Sequence, residues 1–175
     1  MPGPERIRLL CLDVDGVLTD GSIWLSDRGE ESKRFHVRDG FAIRLWQRLG
    51  GTVAVITGRS GLALRHRLEE LGVRHLVNGS ADKGTDLDRL LAELGIAASA
   101  CAMMGDDLPD LPAMRRCGYP IAVADAAAEV RAAAAFVTGA RGGDGAVREA
   151  VEHLLRREGR WAEALAACGA AGGAA

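Results

Sequence analysis

Acidic residues occur in two tight clusters, each directly after an apolar run. Asp13-Val14-Asp15-Gly16 follows Ile7–Leu12, and Gly105-Asp106-Asp107 follows Ala100–Met104. Two close carboxylates repel unless a cation lies between them or one keeps its proton. Hard oxygen donors of this kind suit Mg²⁺, which takes one or two carboxylates and keeps several waters. Turn formation accounts for Asp15-Gly16 and Asp20-Gly21. It accounts less well for Asp13, where the apolar run breaks off.

Other polar residues follow the same rule of position. Ile56-Thr57-Gly58-Arg59-Ser60 ends a further apolar run. A hydroxyl and free amides at a helix start make an oxyanion site. Ser60 reads as the helix cap, which leaves Thr57 without a structural duty. Lys83 opens a helix, where a cation meets the positive end of the dipole; taken alone it reads as a surface lysine. Asp110 reads as a helix cap, but a cap does not explain Asp106 or Asp107. Arg141-Gly142-Gly143-Asp144-Gly145 is not a Walker loop, since no Gly-Lys-Ser/Thr follows. Its functional readings are a flexible lid or an anion-touching loop. Together, Asp13, Asp15, Thr57, Lys83, Asp106 and Asp107 supply a metal site, a hydroxyl, a lysine and a spare carboxylate. Such a set suits phosphoryl transfer, where positioning and charge stabilisation do most of the catalysis.

The elements that must bring these residues together are legible as short apolar runs between helical periodicities. The runs are Ile7–Leu12, Thr52–Ile56, His75–Val77, Ala100–Met104, Pro120–Val123 and Phe136–Thr138. Near-continuous apolarity marks strands covered on both faces. Helical stretches fall at about 40–49, 60–71, 84–94, 111–116, 126–134 and 145–157. The alternation predicts an α/β fold, a doubly wound parallel sheet. Ligands of such sheets bind beyond the carboxyl ends of the strands, where the polar clusters lie. Residues 22–37 break the rhythm with Ile23-Trp24-Leu25, an Asp27-Arg28-Gly29 turn and alternating Lys33–Val37, and predict a β-hairpin flap. The gaps from Asp15 to Thr57 and from Lys83 to Asp106 leave no room for a cap domain. Residues 1–175 read as one domain, with a disordered tail from about 166.

Composition narrows the function classes. The 175 residues are 48% hydrophobic, enough for a core that buries roughly 70% of the unfolded surface. Lys and Arg number 22 against 24 Asp and Glu, and aromatics are 4%. That balance gives no electrostatic reason to expect nucleic acid, and so few aromatics argue against base-stacking surfaces. No apolar run approaches a bilayer span, so no membrane association is expected and the chain reads as cytoplasmic. The four cysteines form no C-x-x-C pair and read as small hydrophobes and free thiols.

The motifs 13–20 (D-V-D-G-V-L-T-D), 56–59 (I-T-G-R), Lys83 and 105–110 (G-D-D-L-P-D) resemble, in order and spacing, the four motifs of the haloacid dehalogenase (HAD) superfamily. Segments 35–40, 78–83, 142–149 and 153–161 are similar to the KdsC-type 3-deoxy-D-manno-octulosonate 8-phosphate phosphatases within it. The resemblance implies Asp13 as nucleophile and Asp15 as general acid and base. It implies Mg²⁺ on Asp13, the Asp15 backbone carbonyl and Asp106. Thr57, Gly58, Arg59 and Lys83 would bind phosphate and substrate, and Asp107 would hold a metal-bound water or orient Lys83. It further implies a sugar-phosphate substrate and a homotetramer in which the hairpin closes a neighbour's site. A nine-carbon sialic-acid-type 9-phosphate is the rival substrate; Arg59 favours the eight-carbon branch. A phospho-receiver of flavodoxin-like fold and a non-enzymatic binding homologue are the rivals outside the class.

Overall fold

A computed structural model describes residues 6–169. Six strands form one parallel sheet: β1 (Leu9–Leu12), β4 (Thr52–Thr57), β5 (His75–Asn78), β6 (Cys101–Gly105), β7 (Tyr119–Ala122) and β8 (Phe136–Val137), in the order β5-β4-β1-β6-β7-β8. The chain steps outward from β1 to β4 and β5, then returns to the other side for β6, β7 and β8. This reversal puts a crevice at the carboxyl end of β1. All four β1 residues are fully buried, as a strand covered on both faces requires. Helices α1 (Val37–Arg48), α6 (Ala146–Arg157) and α7 (Trp161–Ala167) pack as one group. Helices α3 (Lys83–Leu94), α4 (Leu111–Met114) and α5 (Ala128–Ala133) pack as another, and α2 (Leu62–Leu71) touches α1.

The expected elements are present, with shifts of boundary. The hairpin β2 (Trp24–Leu25) and β3 (Glu31–Ser32) pairs only Trp24 with Ser32 and Leu25 with Glu31. Lys33–Val37 does not continue it. His36 is instead the N-cap of α1, which begins at Val37 rather than near Gly40. Gly40 therefore lies inside the helix, where its bare face lets the Arg67 guanidinium approach from α2. Ser60 does not cap α2; Gly61 holds that position and Ser60 is exposed. Helix α7 takes in Ala166 and Ala167, the start of the stretch expected to be disordered from about 166, and residues 170–175 lie outside the described residues.

Among the described residues there is no cap domain: between Asp15 and Thr57 lie only the hairpin, α1 and β4, and between Lys83 and Asp106 only α3, one 3₁₀ turn and β6. All four cysteines are free, and burial raises the thiol pKa of Cys11 and Cys101. Among the described residues no helix is long and apolar enough to cross a membrane.

One buried carboxylate ties the two ends of the chain. Asp39, in the first turn of α1, accepts the amides of Gly145 (3.2 Å) and Arg148 (2.7 Å) at the start of α6. These amides have no partner within their own helix, so Asp39 acts as a cap supplied from a distant segment. Asp39→Ala should lower stability by about 1–2 kcal/mol in urea unfolding. Asp39→Asn should lose less, since its amide oxygen still accepts. Equal midpoints for wild type and Asp39→Ala would show that the tie is not stabilising.

Candidate active site

The strand ends converge on a cleft of about 750 Å³ lined by Asp13, Asp15, Thr57, Gly58, Arg59, Lys83, Asp106 and Asp107, together with Asp110 and Arg116. Every residue expected to act thus shares one cavity. Asp13 lies immediately after β1, and its amide donates to the Met104 carbonyl of β6 at 3.1 Å. The sheet itself therefore fixes where this carboxylate starts.

Lys83 is the first residue of α3, yet its side chain is buried. Its Nζ donates to Asp13 Oδ1 at 2.7 Å and to Asp110 Oδ1 at 2.6 Å. Burial alone favours a neutral lysine, but the two carboxylates outweigh it and raise the pKa above the ordinary lysine range. Lys83 is therefore not a surface lysine: the anions that its position at a helix start requires are Asp13 and Asp110.

Asp110 is the residue that sequence reasoning misassigned. It makes no side-chain cap to α4. Its Oδ2 accepts the amides of Asp106 (2.9 Å) and Asp107 (3.2 Å) while Oδ1 holds Lys83. One carboxylate thus shapes the 105–110 turn and anchors the lysine. The role of orienting Lys83, offered as one possibility for Asp107, belongs to Asp110. Asp107 is exposed and caps its own 3₁₀ turn through the Leu108 amide. The available signal was the four-residue spacing from Asp106 to a second acid, which lets one side chain reach back over the turn.

Asp13, Asp106 and Asp110 can each place an oxygen within 4.8 Å of the others. Asp110 is already committed to Lys83 and two amides, so Asp13 and Asp106 are the pair left to face a cation. Burial, then the charge of Asp110, raises the Asp13 pKa to about 6 even against the pull of Lys83. Burial, then the charges of Asp110 and Asp13, raises Asp106 to about 8. Without a cation this pair holds on to protons, as close carboxylates must. An all-oxygen donor set with excess negative charge fits Mg²⁺. Gly16 makes the approach possible: its φ is +97°, and a Cβ there would lie 2.1 Å from Asp106 Oδ2.

Asp15 is turned toward the hairpin. Its Oδ1 is ion-paired with Lys33, and Arg59 Nε lies 3.6 Å from Oδ2. Glu31 joins both partners, with Lys33 at 3.0 Å and Arg59 Nη2 at 2.6 Å. The hairpin base therefore closes over its own chain's acid. Lys33 and Glu31 were not picked out from sequence, because a charged pair in a hairpin is normally solvated. Thr57 is buried, and its Oγ1 accepts the Arg59 amide at 3.2 Å, bending the chain so that Gly58 is exposed at the mouth.

A carboxylate, lysine and threonine at the switch point of a parallel sheet, with a second acid two residues on, are the arrangement that the resemblance to haloacid dehalogenase-like hydrolases implies. The family model so described matches residues 74–149. The chain is 45% identical, over 94% of its length and 87% of the relative's, to the 3-deoxy-D-manno-octulosonate 8-phosphate phosphatase KdsC of Escherichia coli BL21-DE3. A crystal structure of the phosphatase of that name from Moraxella catarrhalis, in complex with magnesium ion, phosphate ion and a KDO molecule, is 41% identical, with a TM-score of 0.90 and 93% of each chain covered. A probable yrbI family phosphatase from Pseudomonas syringae pv. phaseolica is 44% identical, with a TM-score of 0.90 and 93% and 92% covered. The chain belongs to the 3-deoxy-D-manno-octulosonate 8-phosphate phosphatase family of haloacid dehalogenase-like hydrolases.

The raised carboxylates give a pH dependence with a definite sign. The folded protein keeps protons that the unfolded chain loses near pH 4. Their contribution to metal-free stability is full below about pH 4 and falls as pH rises through about 6 to 8. Mg²⁺ competes with those protons, so the rise in Tm on adding it should grow from pH 5 to pH 8. A rise that is constant across that range would contradict the assignment of Asp13 and Asp106.

Proposed function

We propose that this chain hydrolyses the phosphomonoester of 3-deoxy-D-manno-octulosonate 8-phosphate through a phosphorylated Asp13. The carrying observation is the buried Asp13 carboxylate, held by Lys83 at 2.7 Å in a chain 45% identical to phosphatases of that name. Lys83 occupies only Oδ1 of Asp13 and keeps the carboxylate anionic for attack on phosphorus. The bond to the sugar oxygen breaks, and Asp15 supplies that oxygen with a proton. Asp15 then removes a proton from the water that attacks the aspartyl-phosphate, which returns Asp13 and releases inorganic phosphate. To donate at all, Asp15 must first leave Lys33. Thr57 Oγ1 and the Gly58 amide hold phosphoryl oxygens, Lys83 offsets the charge that builds on them, and Arg59 faces the substrate at the cleft mouth. Asp13, Asp106 and the Asp15 carbonyl would hold Mg²⁺, which supplies further neutralisation between an anionic nucleophile and an anionic substrate.

The nine-carbon 9-phosphate reading is not favoured, since the relatives carry the eight-carbon name. The site is cytoplasmic in this reading, where a phosphorylated sugar acid is made and used.

The quaternary arrangement we propose is a homotetramer. Ile23, Trp24 and Leu25 are 50%, 63% and 65% exposed at the far side of the hairpin, an apolar patch that a second copy would cover.

Two experiments test these readings. Asp13→Asn should lose about 10⁴-fold or more in turnover with an unchanged circular dichroism spectrum. Appreciable remaining Mg²⁺-dependent phosphate release would refute the nucleophile. The wild type should prefer the eight-carbon 8-phosphate over a nine-carbon 9-phosphate in the same assay. By light scattering the wild type should be a tetramer, and Trp24→Ala with Leu25→Ala should lower its mass. A monomeric, fully active wild type would refute the shared assembly.

A further inference from the structure

The glycine-rich loop after β8 is closely packed. Gly142 and Gly143 are buried, and they lie against the segment that follows Asp15. A Cβ at Gly142 would lie 1.8 Å from the Gly16 carbonyl oxygen, and one at Gly143 would lie 2.4 Å from the Asp20 amide nitrogen. The Gly143 amide donates to the Val17 carbonyl at 3.0 Å. Two backbones thus touch with no side chain between them, which only glycine permits. Gly16 in turn abuts Asp106 on its other side. The order of contact is Gly142, then Gly16, then Asp106.

Such a wedge works only if it is itself fixed, and it is fixed at both ends. The Gly142 amide donates to Asp125 Oδ1 at 3.0 Å, and Arg141 Nε donates to Asp125 Oδ2 at 3.1 Å. Asp125 follows β7, so the sheet sets its place. At the other end, the Gly145 amide is held by Asp39 of α1.

We propose that residues 141–145 are a rigid backbone brace that sets Gly16, through its carbonyl, against Asp106, with Asp125 as the positioning residue that holds the brace in register. Asp125 makes no hydrogen bond or ion pair with Asp13 or Asp106, although the Ala127 amide two residues on donates to the Asp106 carbonyl at 2.7 Å; its side chain acts through Gly142 and Gly16. The inference rests on the Mg²⁺ reading of Asp13 and Asp106. Loosening the brace lets Gly16 drift from Asp106 and so weakens the cation site without altering its ligands.

Calorimetric titration of Mg²⁺ into the full chain tests this, with thermal unfolding as the check on fold. Asp125→Ala should weaken Mg²⁺ binding about tenfold, the low end for groups that orient metal ligands. Asp125→Asn should restore binding, because its amide oxygen still accepts the Gly142 amide. Arg141→Ala should bind like wild type, since it removes the ion pair and leaves the Gly142 bond. A merely structural Asp125 would lower Tm and leave Mg²⁺ affinity unchanged, and that result overturns the brace. Equal weakening by Asp125→Asn and Asp125→Ala overturns it as well. A wild-type chain that takes up no Mg²⁺ refutes the metal reading itself, and the brace with it.

Discussion

One buried ammonium, Lys83 Nζ, lies between Asp13 and Asp110 at 2.7 and 2.6 Å, and the rest of the site is arranged around it. A lysine, two carboxylates and a third at Asp106 carry a formal charge of −2 when all are ionised. Gathering like charges out of water is unfavourable, and removing one partner of such a set leaves a buried charge uncompensated. Metal-free protein meets the excess by protonating, as the raised pKa values of Asp13 and Asp106 show. A divalent cation meets it with no proton at all. The excess negative charge that makes the site unfavourable alone is what a hard divalent cation such as Mg²⁺ would offset.

The surroundings follow from holding this charge in place. Asp110 is rigid because the Asp106 and Asp107 amides bind it, so the turn that presents Asp106 also fixes the lysine. Asp13 is rigid because β1 is buried on both faces. Asp15, by contrast, lies outside the sheet and is held by Lys33 and Arg59 from the hairpin side. Asp13 thus follows a fully buried strand, whereas Asp15 is held where the hairpin meets the cleft.

The strands and the first five site residues were readable in the sequence because both obey a local rule. Apolar runs mark buried strands, and Asp13, Asp15, Thr57 and Asp106 interrupt or follow such runs. Lys83 taken alone read as a surface lysine and stood out only once the other strand-end residues were set beside it. Asp110 was not legible, because its partner Lys83 is 27 residues away and the Asp106–Asp110 spacing that could have flagged it also suits a cap. The packing of the loop at 141–145 was not legible for a similar reason. Glycines next to a helix look mobile in sequence, and only the packed position of Gly16 shows that they permit contact rather than motion. The hairpin was too long in the sequence reading because Lys33 and Phe35 alternate as a strand would, whereas the capping of α1 at His36 takes those residues away from it.

The central claim is that Asp13 accepts the phosphoryl group covalently. Rapid acid quench during turnover with radiolabelled 3-deoxy-D-manno-octulosonate 8-phosphate, followed by digestion and mass spectrometry, tests it most directly. The account predicts a transient, hydroxylamine-labile label on the peptide that carries Asp13. Steady phosphate release with no labelled protein at any time, or with label on another peptide, would contradict it.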